Sequence, residues 1–150
     1  MTYLKRFSIS ALLIIGMIGL GTSVILAQGK PLVKTTLGST AGNATVSANE
    51  ARRLITLPLT VTDNNNITYT IESYQFLYKK KTEMTDPNTG KKAYAFSTAS
   101  DIFKTSPLPL AWVGKTENLQ KDEELSFFDI QIKDDKGKKF FAPDIRLKIQ

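Results

Sequence analysis

With 150 residues, no cysteine and no histidine, the chain is one domain at most, has no disulfide to staple it, and lacks the commonest general base and metal ligand. Hydrolytic triads, Cys/His zinc sites and thiol chemistry are excluded unless built from carboxylates, lysine or hydroxyls alone, and no catalytic residue, cofactor or metal site is expected. The formal charge is +6, part of it from Lys5 and Arg6 near the N-terminus. The remaining mild basic excess sits in runs beside turns, which reads as a solvated face and not as a nucleic-acid patch.

Met1–Ser8 is short and positive and feeds a nearly continuous apolar run from Ile9 to Leu26, followed by a small residue at Ala27. Residues 1–27 therefore read as a signal peptide cleaved after Ala27. The run is about 18 residues long, the lower limit of a membrane span, so retention as an N-terminal anchor is the alternative. Both readings place the domain 28–150 beyond the membrane, in the periplasm or secreted. Without cysteine there is no lipidation site after the signal.

Gly29–Ala48 is rich in Gly, Ser, Thr and Asn and reads as a flexible lead-in with a first short strand near Leu32–Thr36. Ser47 to Glu50 offers a cap or turn backed by Ala51, Arg52 and Arg53, enough for one helical turn. Asn43-Ala44-Thr45 and Asn66-Ile67-Thr68 match the glycosylation acceptor pattern, but ordinary loop composition is the better reading of both. Ile55, Leu57, Leu59 and Val61 alternate with polar residues as a half-buried strand, with Pro58 favouring a sheet edge. A loop follows at Asp63–Asn66.

Ile67, Tyr69 and Ile71 then alternate in one phase and Tyr74, Phe76 and Tyr78 in the other, which predicts a long strand with a bulge near Ser73. Lys79–Lys92 is dominated by charge and by the turn formers Asp86-Pro87-Asn88-Thr89-Gly90, and reads as a projecting loop between hairpin arms Tyr69–Tyr78 and Ala93–Ser97. Thr98–Ser106 has room for one helical turn around Ile102 and Phe103. Leu108, Leu110, Trp112 and Val113 form a proline-interrupted approach to the last pair of strands. That pair, within Leu119–Ile149, is the best-patterned stretch. Leu125 and Phe127 alternate, Phe128, Ile130 and Ile132 resume out of phase, and Ile145, Leu147 and Ile149 return after a turn at Asp135-Lys136-Gly137. A bulge at Phe127–Phe128 accounts for the slip.

About seven extended segments and no long helix predict an all-β fold, an immunoglobulin-like antiparallel β-sandwich, with an open barrel as the competing closure. Carboxylates cluster at Asp122/Glu123/Glu124 and at Asp134/Asp135, and both groups read as solvated turn charges. Calcium at Asp134 and Asp135 is opposed by Lys133, Lys136, Lys138 and Lys139. Tyr69, Tyr74, Tyr78, Tyr94 and Trp112 are assigned mainly to core packing, since strand parity turns half of them inward.

Three elements carry a resemblance: Ile67-Thr68-Tyr69-Thr70-Ile71-Glu72-Ser73-Tyr74-Gln75-Phe76, then Leu119-Gln120-Lys121-Asp122-Glu123-Glu124-Leu125-Ser126-Phe127, and Asp135-Lys136-Gly137-Lys138-Lys139 running to Pro143-Asp144-Ile145-Arg146-Leu147-Lys148-Ile149. Their order and spacing resemble the C-terminal periplasmic domain of the gliding-motility protein M family (GldM, PorM) of the Bacteroidota type IX secretion machinery. The likeness spans about Pro31 to Gln150, with departures at Glu123, where a glycine-like turn residue is typical, and at the proline-rich Ser106–Trp112, where the family tends to be more helical. Only one domain fits, so a detached single-domain relative is implied.

The resemblance implies a non-enzymatic periplasmic protein-interaction module with protein partners in the cell envelope and a homodimer among its arrangements. Nucleic acid is not expected, and a membrane only if residues 1–27 are retained. The alternative is a secreted or surface carbohydrate-binding or adhesin-like module. The preferred interaction residues are Lys79, Lys80, Lys81, Lys91 and Lys92 on the projecting loop, together with Trp112, for which a place in the core is an equal reading.

Overall fold

The structure, a computed structural model, describes residues 32–150. The expected signal or anchor segment, 1–27, lies outside the described residues. Among the described residues no helix is long and apolar enough to cross a membrane.

The first half builds a small sheet and a helix. β1 (Val33–Leu37) turns at Gly38 into β2 (Thr40–Ala41). Gly38 has φ +60°, and a Cβ there would stand 2.7 Å from Leu57 Cδ1, so both conformation and space call for glycine. β3 (Asn43–Val46) leads to α1 (Ala48–Ile55), which starts where the Ser47 hydroxyl accepts from the Glu50 N–H at 3.2 Å. Ala51, Leu54 and Ile55, at helical spacing, bury one face of α1. β4 (Leu59–Asp63) then pairs antiparallel with β1 along its whole length.

The second half supplies the large sheet: β5 (Thr70–Thr85), β6 (Lys92–Phe103), the short helix α2 (Leu110–Lys115), β7 (Glu124–Lys133), β8 (Lys139–Phe141) and β9 (Ile145–Ile149). Its order is β3-β9-β7-β5-β6, with β8 also on β7. β8 and β9 share one edge of β7, β9 against Glu124–Phe127 and β8 against Gln131–Lys133. β3 joins β9 in parallel.

The inner face of this sheet carries Tyr74, Phe76, Tyr78, Leu125, Phe127, Ile130, Ile132, Ile145, Leu147 and Ile149. They form one cluster with Leu37, Leu54, Ile55 and Val61 from the first half and with Trp112. Each such fully buried side chain contributes about 1.5–3 kcal/mol relative to exposure, and with no disulfide this cluster carries the stability. On the opposite face Gln75, Leu77 and Phe128 are half-buried and Arg146 is exposed, with no layer over them among the described residues.

Two bulges are present, the first at Ser73 as expected and the second at Asp129, past the expected Phe127–Phe128 step, so that Phe128 keeps the phase of the first half and lies on the face opposite Ile130 and Ile132. The β5–β7 register shifts between Ile71 and Ser73 and again between Ser73 and Gln75. The first shift adds Glu72 on β5 and the second adds Asp129 on β7, whose φ is +49°. The two offset each other, so Phe76↔Phe127 keeps the register of Ile71↔Ile132, and the buried set on β7 changes phase from Leu125 and Phe127 to Ile130 and Ile132. The β7–β8 turn contains Gly137 at φ +80°, with the Asp134 carboxylate accepting from the N–H groups of Lys136 (2.9 Å) and Lys138 (2.8 Å).

An all-β immunoglobulin-like sandwich is nevertheless the wrong class. Among the described residues the chain is mixed, with two helices, two unclosed sheets of unequal size and one parallel strand pair. Three local competitions explain the difference. Around Ile55 the helical spacing of Ala51, Leu54 and Ile55 behind a Ser47 cap prevails over period-two alternation, so Ile55 ends α1 and Pro58 precedes β4. Leu110 to Lys115 coils where alternation suggested extension, directly after Pro109, while Ile102 and Phe103 end a strand and form no helical turn. The glycine-rich lead-in contains β1, β2 and β3, with Gly38 and Gly42, both at positive φ, serving the turns.

Candidate functional site

Lys79 pairs with Glu124, the first residue of β7; beyond it β5 keeps only one neighbour. Lys80–Thr85 and Lys92–Ser97 thus continue as a two-stranded ribbon past the end of the sheet. The expected projecting loop Lys79–Lys92 is mostly strand, and the turn proper is confined to residues 86–91. Asp86 organises that turn: its N–H donates to Lys91 C=O (2.9 Å), its carbonyl accepts from Gly90 N–H (2.8 Å), and its carboxylate accepts from Thr89 hydroxyl (2.6 Å) and Asn88 N–H (2.9 Å). The Thr89 hydroxyl, followed by the Asn88 N–H, holds the Asp86 carboxyl below the usual carboxylate range.

Strand parity divides the ribbon's side chains between two faces. On the outer face Lys79 Nζ lies 4.6 Å from the Phe96 ring centroid, Lys81 Nζ lies 4.4 Å from that of Tyr94, and Lys92 Nζ meets Glu83 Oε1 at 2.7 Å. All three are diagonal cross-strand pairs, so cation–π contacts and an ion pair form a ladder that stiffens the ribbon without a hydrophobic layer. The hydrogen bond to Glu83 raises the Lys92 ammonium above its ordinary value. Lys80, Thr82 and Met84 face the other way, beside Ala93, Ala95 and Ser97. Lys91 is exposed in the turn.

A buried carboxylate secures the root. Glu123 has no exposed surface. Its carboxylate accepts from Tyr78 hydroxyl (2.7 Å), Lys81 N–H (2.8 Å) and Gln120 N–H (3.0 Å). Its own carbonyl accepts from Ile149 N–H (2.9 Å), and Asp122, at φ +73°, donates its N–H to Ile149 C=O (2.9 Å). Burial first, then the bond to Glu123, pushes the Tyr78 hydroxyl well above the ordinary tyrosine range. One carboxylate thus joins β5, the segment before β7 and the end of β9. The solvated-turn reading missed it, although Glu123 is in phase with Leu125 and Phe127, which gave a signal for an inward side chain.

Trp112 is 8% exposed and belongs to the core. It stands edge-on to Phe76 (centroids 5.5 Å apart) and Phe103 (5.8 Å), and its remaining face carries Lys115 Nζ at 3.7 Å. The structure therefore gathers Lys79, Lys80, Lys81, Lys91 and Lys92 on one ribbon and puts Trp112 beneath the sheet near its root. Tyr74 and Tyr78 are buried and Tyr69 half-buried, whereas Tyr94 and Phe96 are exposed on the ribbon. On the uncovered face a hollow of about 540 Å³ opens among Asn43, Leu77, Ser126 and Phe128, with Arg146 paired to Glu124 at 3.2 Å on its wall. Among the described residues no group of three or more His, Cys, Asp or Glu side chains lies together as a metal site would require. The Asp134 carboxylate is engaged in its own turn. No protein-family model matches this chain, and no curated protein matches it either.

Proposed function

We propose that this chain is a non-enzymatic protein-interaction module of the cell envelope, and that the β5–β6 ribbon is the part offered to a protein partner. The observation that carries the reading is the ribbon itself. Its side chains beyond Lys79 contribute nothing to the core cluster, yet a ladder of diagonal pairs holds them in a regular, charged, extended form. Two-stranded hairpins are marginal in water, so a ribbon kept straight beyond its sheet fits a contact surface better than a structural need. The resemblance to the gliding-motility protein M family supports a periplasmic placement and an assembly role in secretion or motility, with homodimers included.

Purification of the native complex from the cell envelope, with partner identification, tests this. Recovery of secretion or motility components, lost when residues 83–94 are replaced by a tight turn, is expected. A lone soluble monomer would sink the reading. The carbohydrate-binding or adhesin-like alternative draws on exposed Tyr94 and Phe96, but a lysine ammonium already occupies a face of each ring. Glycan-array binding abolished by Tyr94→Ala would favour that alternative.

A further inference from the structure

The outer strand of the large sheet, β6, has few of the devices that normally keep a sheet edge from pairing, the Asp101 carboxylate accepting from the Ile102 N–H (2.8 Å) only near its end. Its pairing with β5 runs without a shift from Tyr74↔Phe103 to Thr85↔Lys92. It contains no proline and no bulge, and between Lys92 and Asp101 it has no charge, reading Ala93-Tyr94-Ala95-Phe96-Ser97-Thr98-Ala99-Ser100. Among the described residues no strand covers its outer side. Natural edges are generally shortened, bulged or charged, and a long regular neutral edge is a template for another strand. The opposite edge, β3, has four residues.

A second observation stands beside this edge. An open hollow of about 240 Å³ lies on the inner face of β6, lined by Tyr78, Lys80, Ser97, Ala99 and Lys115. Small side chains on β6 leave the hollow open. Lys80 and Lys115 are exposed and make no ion pair among the described residues, whereas nearby Lys81 and Lys92 each have a carboxylate. A strand laid along β6 would direct alternate side chains toward this hollow.

We propose that β6 accepts an added strand from a partner protein, an extended segment with an acidic side chain that enters the hollow between Lys80 and Lys115. This rests on the interaction-module reading and specifies its mode: backbone hydrogen bonds supply affinity, and the carboxylate selects register and partner. A partner of opposite charge is favoured over a second copy, because two copies edge to edge would bring two lysine-rich ribbons together.

The test uses the full chain and three short capped peptides: one alternating glutamate with valine and threonine, the same peptide with glutamine, and a glutamate version with alternate backbone amides N-methylated. The glutamate peptide should bind about tenfold more tightly than the glutamine one and slow amide exchange at Ala93–Ser100. N-methylation should abolish binding, and the pair Lys80→Ala with Lys115→Ala should reduce the glutamate peptide to the glutamine level. Absence of binding, survival of binding after N-methylation, or indifference to the lysine pair would overturn the proposal. So would concentration-dependent dimerisation through β6 that Asp101→Lys abolishes, which would give the edge to a second copy. Envelope partners that cross-link elsewhere would remove strand addition and leave the interaction-module reading intact.

Discussion

The two halves of the β5–β6 hairpin share one sequence pattern and have opposite physics. At the root Tyr74, Phe76 and Tyr78 alternate inward and are buried, with Phe76 against Phe127 (centroids 4.9 Å apart) and Trp112. Toward the tip Tyr94 and Phe96 alternate just as regularly and stay exposed, their rings meeting lysines in place of a core. The contrast shows that aromatic alternation specifies a strand without specifying burial. Burial depends on whether a second layer covers the face, and Tyr94 and Phe96 share the face of Gln75 and Leu77, over which no layer lies among the described residues.

Changes at the root should therefore cost most. Phe76→Ala, which empties the centre of the aromatic cluster, is expected to lower unfolding stability by about 3–5 kcal/mol in urea titration. Glu123→Ala leaves the Tyr78 hydroxyl and two backbone N–H groups without their acceptor and should cost about 2–4 kcal/mol, with Tyr78→Phe losing less. A comparable loss from an exposed turn carboxylate would break the contrast; a negligible loss at Glu123 would show that water replaces it.

Alkali should separate the halves as well. Burial pushes the Tyr74 hydroxyl up to about 12, and Tyr78 is also raised, by burial and then by Glu123. The unfolded chain ionises first, near pH ~10, so stability is level below that pH and falls as pH rises through the folded-state values. Ultraviolet titration with unfolding curves should show this decline, and Tyr74→Phe should flatten it. Smallest of all is the tip: replacing residues 83–94 with an Asn-Gly turn should change stability by less than about 1 kcal/mol in thermal or urea unfolding. A larger loss would mean that the ribbon supports the core.

Period-two patterns made much of the large sheet legible. β5, β7 and β9, the slip near Ser73, the slip just past Phe127 and the Gly137 turn all follow from where large apolar residues change phase. α1 was harder to see, because its three buried residues overlap an alternating run beginning at Ile55. The wrong fold class follows from that overlap and from α2, since a chain credited with no real helix must cover its sheet with more sheet. At the candidate site, the lysines marked a surface segment but hid a strand, as charged residues offer no apolar alternation to read. Trp112 had equal claims to core and surface, and which one holds depends on contacts with Phe76 and Phe103 that are distant in sequence.

The parallel pairing of β3 with β9 has a mechanical consequence. β9 lies between β3, running the same way, and β7, running the opposite way. Tension applied along β9 loads both ladders in shear, so their hydrogen bonds must yield together; peeling, which breaks them one at a time, is not available in that direction. The Glu123 connections at Ile149 tie the same strand to the ribbon's root. Force entering at β9 would reach the projecting ribbon through a stiff path of backbone bonds and one carboxylate.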